Sequence, residues 1–148
     1  MRDWNEIILN RAVREEFTPP DRFPGLIESA RGEYNNAIQG NLNEKGTFEM
    51  LYNAAREWCE IILRAEGWRT QASGHHEVVF SAFRHFVGDQ VEQLARYFDD
   101  MRILRHDLDY DYRPGMIFEH ELEDMKKKVK MLEKEVLRWL KKNHPELI

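Results

Sequence analysis

Residues 47–67, TFEMLYNAAREWCEIILRAEG, decide the fold of this 148-residue chain. The apolar side chains in this stretch recur at steps of three and four, which places them on one face of an α-helix. Thr47 is the candidate N-cap, and Gly67 follows the last apolar position, where helices commonly stop. The stretch predicts a helix whose core-facing residues are Phe48, Leu51, Tyr52, Ala55, Trp58, Cys59, Ile62 and Leu63.

Three further segments have the same helical period. One of them, the third helical region in chain order, is expected to begin near His75 with Ser73 as its N-cap. Gly88-Asp89 is expected to interrupt this region, which resumes at Val91. The segment before residue 47 carries Phe23, Leu26, Ile27, Ala30, Tyr34, Ala37 and Ile38 on one face. The last segment starts near Met116 and has a narrow seam of Phe118, Leu122, Met125, Val129, Leu132, Val136 and Trp139 or Leu140.

No segment has strand alternation bounded by hairpin turns, and the stretch around WRTQASG at 68–74 is expected to be a loop. The architecture predicted for residues 21–148 is therefore all-α, an antiparallel four-helix up-and-down bundle with short connections. Residues 1–20 form an N-terminal extension with one additional short helix, from about Asp3 to Glu16.

The net charge of −5 argues against a broadly basic nucleic-acid surface, although it allows a local basic cleft near Arg96, Arg102 and Arg105. No apolar run is long enough to span a membrane, and the N-terminus lacks the continuous apolar core of a signal peptide. We expect a cytoplasmic protein without a membrane partner. Cys59, the single cysteine, lies within the apolar pattern and is expected to be a buried structural thiol.

Glycine-rich phosphate loops and the GxSxG nucleophile motif are absent from the sequence. His75 and His76 are adjacent, so on a helix they point about 100° apart and do not suit one metal ion. Neither HExxH nor a Glu-x-x-His pair occurs. We therefore expect no metal and no cofactor. The simplest interpretation of the histidine pair is a helix start in which one side chain packs and the other forms a hydrogen bond.

The order of four segments resembles a known family. ILRAEGWRT at 62–70 is followed by SGHH at 73–76, EVVFSAF at 77–83 and LARYFDDMRILRHDLDYDY at 94–112, and a long amphipathic helix comes last. Over about residues 23–142 this order resembles the HEPN superfamily of helical domains, in the branch where a Gly-x-Arg loop precedes a His-His pair.

The resemblance implies a homodimer in which each subunit contributes an Arg-x4-6-His motif to a shared cleft that cleaves RNA without metal. Many HEPN proteins are toxins with a nucleotidyltransferase-like antitoxin, so a partner of that kind and an RNA or nucleotide ligand are implied here. The candidate binding residues are Arg102, Arg69 of the Gly-x-Arg loop, and His75 with His76.

Arg105 matches the motif arginine, but Tyr110 stands where the family has its histidine. Histidine, with a pKa near 6.5, suits proton transfer at neutral pH, whereas tyrosine, with a pKa near 10, does not. The catalytic candidates are therefore Arg105 with His106 or Tyr110. In one HEPN subgroup the motif continues to a tyrosine that the antitoxin adenylylates, and Tyr112 has that spacing. Alternatively, Tyr110 and Tyr112 pack their rings at the end of the bundle.

Three hypotheses about function stay open. The first is a HEPN-like RNA- or nucleotide-binding component of a toxin–antitoxin-type system. The second is a metal-independent ribonuclease toxin with a degenerate motif. The third is a structural protein that uses the seam from Leu122 to Leu140 to pair with another helix.

Overall fold

A computed structural model describes residues 1–71 and 76–148 of the chain. The chain is 76% helix and 4% strand, and the all-α class is therefore confirmed. Short 3-10 turns occur at Pro20–Arg22, Asp89–Val91 and Pro145–Leu147. The elements in chain order are α1 Trp4–Leu9, β1 Val13–Glu15, α2 Phe23–Gln39, α3 Glu44–Ala65, β2 Trp68–Thr70, α4 Glu77–Val87, α5 Glu92–Asp111 and α6 Glu119–Asn143.

Helix α3 is the centre of the core, because it packs against α2, α4, α5 and α6. All the apolar positions predicted for its inner face are buried. The predicted cap at Thr47 is wrong, since the Asn43 side chain accepts a hydrogen bond of 2.8 Å from the Gly46 amide and the helix starts at Glu44. Gly67 does lie just past the helix end, with a φ of 86° that favours glycine.

Helix α6 buries the predicted seam from Leu122 to Leu140, and it packs mainly against α3. Phe118 was predicted to belong to that seam, but it does not. It precedes the helix and is 55% exposed, and its amide donates a hydrogen bond of 2.9 Å to Glu121. On α2, Ile38 is likewise exposed, whereas Phe23, Ile27, Ala30 and Ala37 are buried.

The N-terminal segment differs most from the prediction. Helix α1 ends at Leu9 rather than near Glu16, and Arg11 follows in the left-handed region with a φ of 54°. Residues Val13–Glu15 then pair antiparallel with Trp68–Thr70, so the expectation of no strand and of a loop after Gly67 was wrong. Within residues 1–20, the side chains of Trp4, Ile7, Ala12 and Val13 belong to the same buried core as the long helices.

The break predicted at Gly88-Asp89 is confirmed, since α4 ends at Val87 and Gly88 has a φ of 118°. Helix α4 begins at Glu77, and the predicted cap at Ser73 lies outside the described residues. In the two described ranges, no helix combines the length and the apolar character that a membrane span requires.

Candidate functional site

The segment at 102–112 is helical through Asp111, because α5 continues to that residue. One helical face therefore presents side chains three, four and seven positions apart. These side chains and one residue at the start of α4 line an open cleft of about 490 Å³, which we call the Arg105 cleft. Its described lining residues are His76, Arg102, Ile103, Arg105, His106, Asp109 and Tyr110.

Arg105 is fixed by two residues of α3. Its Nε donates a hydrogen bond of 2.9 Å to Glu49 Oε2, and its guanidinium carbon lies 5.2 Å from the centre of the Tyr52 ring. Glu49 and Tyr52 are three positions apart, so they share the helix face that meets α5. A carboxylate and an aromatic face are both favourable neighbours for a guanidinium.

Arg102 is fixed in a similar way from its own helix. Its Nε donates a hydrogen bond of 2.8 Å to Oδ1 of Asp99, which is buried. Burial opposes the charged form of Arg102, but the hydrogen bond to Asp99 and the negative charges of Asp99 and Glu77 together raise the pKa of the guanidinium. Within the described residues, the hydrogen bonds of Arg102 and Arg105 all use Nε. The terminal nitrogens of both side chains are therefore suited to a ligand in the cleft.

His76 lies beside Tyr52, with 3.0 Å between its Nδ1 and the Tyr52 hydroxyl. Burial, together with the positive charges of Arg56, Arg105 and Arg102, lowers the pKa of His76 to about 4. Burial also raises the pKa of Tyr52, so its hydroxyl stays protonated. His76 is thus neutral at pH 7. When Tyr52 donates to Nδ1, the other ring nitrogen of His76 is left as an N–H donor.

Two carboxyl groups flank Arg105. Burial and a hydrogen bond with Asp109 raise the pKa of Glu49, while Arg105 opposes that shift. Sequence reasoning missed Glu49 and the role of Tyr52. The one feature of the sequence that could have indicated them is their spacing. Glu49 is an acid three positions before the core residue Tyr52, at the inner edge of a predicted helix.

The exposed end of α5 carries the remaining candidates. His106 and Tyr110 are both exposed, and their ring centres are 4.6 Å apart. Tyr110 is 81% exposed, so it does not pack at the end of the fold as one hypothesis expected. Tyr112 directly follows α5, and Lys45 Nζ lies 5.9 Å from the centre of its ring.

Arg69, one of the predicted binding residues, is not brought together with Arg105. Arg69 lies on β2, where its Nη1 is 3.0 Å from Glu16 Oε2, and it is not among the described residues of the cleft lining. His75 lies outside the described residues. Across residues 1–71 and 76–148, no group of three or more His, Cys, Asp or Glu side chains is placed to bind a metal ion.

Scans against protein-family models and searches among curated proteins and solved structures found no match to this chain. The functional proposal therefore depends on the chemistry of the Arg105 cleft and on the order of the sequence motifs.

Proposed function

We propose that this chain is a HEPN-like domain that binds RNA or a nucleotide in the Arg105 cleft. One observation carries the proposal. Two guanidiniums stand three positions apart on α5, each fixed through Nε by a carboxylate, beside a neutral histidine. Fixed guanidiniums lose little side-chain entropy when they bind, and their planar forks match the oxygens of a phosphate.

The rest of the cleft suits a nucleotide better than a bare anion. With a phosphate on Arg102 and Arg105, the Asp109 carboxylate can accept a hydrogen bond from a ribose hydroxyl. The ring of Tyr110, which is 81% exposed, offers a stacking surface for a base. The same carboxylate repels a second phosphate nearby, which favours a single phosphate group in this position.

The test is binding of a labelled single-stranded RNA and of AMP to purified protein, measured by fluorescence anisotropy and calorimetry. Arg105→Ala should weaken binding by about tenfold or more, because hydrogen bonds to charged groups contribute about 1.5–3 kcal/mol. Arg96→Ala is the matched control, since Arg96 lies on the same helix and pairs with Glu92 at 2.7 Å. If both variants bind as tightly as the parent chain, the cleft is not the binding site. Circular dichroism checks that Arg105→Ala still folds.

We further propose that α2, α3, α6 and a fourth helical segment, α4 with its continuation α5, form the four-helix up-and-down bundle of a HEPN-like homodimer in the cytoplasm. The observation in favour of dimerisation is that Ile103 and Tyr110 are both exposed, seven positions apart on the cleft side of α5. Ile103→Asp should then shift the mass measured by light scattering from dimer to monomer. Met131→Asp, at another exposed apolar position on α6, should leave the mass unchanged.

The proposed protein partner is a nucleotidyltransferase-like antitoxin. Its support is the spacing from Arg105 to Tyr112, which places a tyrosine directly after α5. A small nucleotidyltransferase in the neighbouring open reading frame would strengthen this proposal. Incubation with that protein and ATP should add one AMP to the chain and release pyrophosphate, and Tyr112→Phe should abolish the addition. An AMP group on another residue would remove Tyr112 as the modification site.

A second candidate function is metal-independent cleavage of RNA, which is favoured by the presence of His106 in the same cleft as Arg105 and Tyr110. In that reaction His106 accepts the proton of the attacking ribose 2′-hydroxyl, whose oxygen bonds to phosphorus while the bond from phosphorus to the 5′ oxygen of the next nucleotide breaks. The leaving oxygen takes a proton from water, and Arg105 stabilises the charge on the phosphorus oxygens. Cleavage in the presence of EDTA should be lost in His106→Gln. It should persist in His120→Gln, which changes another exposed histidine. RNA that stays intact with the parent chain would exclude this function.

A further inference from the structure

A second charged surface lies on the outer face of the two-stranded sheet. Arg14 and Arg69 are direct partners in the β1–β2 register, so their side chains project side by side. Like charges in this position destabilise a strand pair. Glu16 partly compensates, because its two carboxylate oxygens lie 3.1 Å from Arg14 Nη2 and 3.0 Å from Arg69 Nη1.

A third arginine, Arg64, lies next to this pair, and the charge of a fourth, Arg22, acts on Arg64. The pKa of Arg64 is lowered by burial first and then by the positive charges of Arg69 and Arg22. Its Nε is 3.2 Å from the Thr18 hydroxyl, which places it beside the end of β1. The negative charges of Glu60 and Glu16 raise the pKa of Arg64 and so oppose this lowering. Glu60 also forms an ion pair with Arg56 at 3.2 Å. Glu16 is therefore shared by three guanidiniums, those of Arg14, Arg64 and Arg69, in a chain whose net charge is −5.

An exposed aromatic ring belongs to the same surface. Phe17 is 78% exposed, and its neighbours in the chain, Glu16 and Thr18, contact arginines of the cluster. An isolated phenylalanine gains nothing from contact with water, whereas an exposed ring whose chain neighbours contact arginines can stack on a nucleobase while those arginines contact phosphates. We name the surface formed by Arg14, Arg22, Arg64, Arg69 and Phe17 the Arg14 surface.

We propose that the Arg14 surface binds single-stranded RNA, with the arginines on the phosphates and a base stacked on Phe17. This inference goes beyond binding in the Arg105 cleft, because it uses different residues. The pairing of Arg14 with Arg69 supports a phosphate ligand, since an anion between them relieves their repulsion. A planar guanidinium binds a phosphate through two parallel hydrogen bonds, and this geometry favours RNA over an acidic protein segment.

The test uses a fluorescein-labelled oligouridine of about 12 nucleotides, a length within the site size of single-strand binding surfaces. Phe17→Ala should weaken binding by roughly 5- to 100-fold, which corresponds to the loss of one base–aromatic stack. Leu9→Ala is the matched control, because Leu9 is equally exposed and lies on α1. Arg14→Gln should reduce the slope of log Kd against log salt by about 0.7, the change expected for one phosphate contact.

The same titrations in an Arg105→Ala background separate this surface from the cleft. In the Arg105→Ala background the cleft no longer contributes, so Phe17→Ala should weaken the remaining binding at least as much as it does in the parent chain. Equal affinities for Phe17→Ala and Leu9→Ala would overturn the proposal. It would also fail if the parent chain bound polyglutamate or anionic vesicles but no oligouridine. If the Arg105 cleft does not bind RNA, the Phe17→Ala result is unaffected. Each of the two proposals can therefore be refuted without the other.

Discussion

Leu132→Ala is the sharpest test of whether the seam of α6 is core or a partner-binding surface. Leu132 is fully buried within that seam, and α6 packs mainly against α3. The three carbons removed correspond to about 2.5 kcal/mol of lost transfer free energy. A cavity that cannot close raises the expected loss in the free energy of unfolding to about 3.5 kcal/mol. This is a large fraction of the 5–15 kcal/mol that typically stabilises a domain.

Urea unfolding followed by circular dichroism measures this loss. With a denaturant slope of about 2 kcal/mol per molar, the midpoint should fall by roughly 1.5–2 M. Met131→Ala is the control, because Met131 is the neighbouring residue on α6 and is 54% exposed, and its change should stay within about 0.5 kcal/mol. If Leu132→Ala instead kept the urea midpoint of the parent chain and lost only self-association, the seam would be an interface. That result would favour the hypothesis of a structural protein that pairs with another helix.

Three further predictions concern buried polar groups. Tyr52→Phe should lower the free energy of unfolding by about 1–2 kcal/mol in urea titrations, because Nδ1 of His76 loses its 3.0 Å partner. The unfolded chain binds a proton at His76 near pH 6.5 and the folded chain only near pH 4, so the free energy of unfolding should decrease as the pH is lowered through that window. His76→Gln should show a weaker decrease, and an equal one would contradict the shift. Cys59 should react with a thiol reagent only after unfolding, because burial raises its pKa well above the ordinary value, and rapid labelling of the native chain would contradict its burial.

The long helices were predictable because their apolar period extends over many turns. Residues 47–67 gave the inner face of α3 correctly, but the cap was placed at Thr47 instead of Asn43 because both side chains are good caps and periodicity does not fix a boundary. Strands β1 and β2 have three residues each, which is too short for alternation to be visible. Their pairing connects positions more than 50 residues apart, and such contacts leave no local signal in the sequence.

The candidate site was predictable on α5 and at His76, which precedes α4. The order of the motifs located Arg105 and His106, and the helix carried Arg102 and Tyr110 to the same cleft. Glu49 could not be found in the same way, since its role depends on how α3 packs against α5. Arg69 was expected with the cleft residues, but the long-range pairing of β2 places it beside Arg14 and Glu16.

The groups around Arg105 favour binding over proton transfer. His76 has a pKa near 4, so its neutral form is a weak base at pH 7, and the raised pKa of Tyr52 makes its hydroxyl a poor acid. Among the described cleft residues, His106 is then the best candidate for a base, and it lies on the exposed side, against Tyr110. A ribonuclease would therefore depend on His106, whereas a binding protein would depend on Arg105 and not on His106. An RNA affinity that falls in Arg105→Ala but is unchanged in His106→Gln, with the RNA left intact, is the result that we expect.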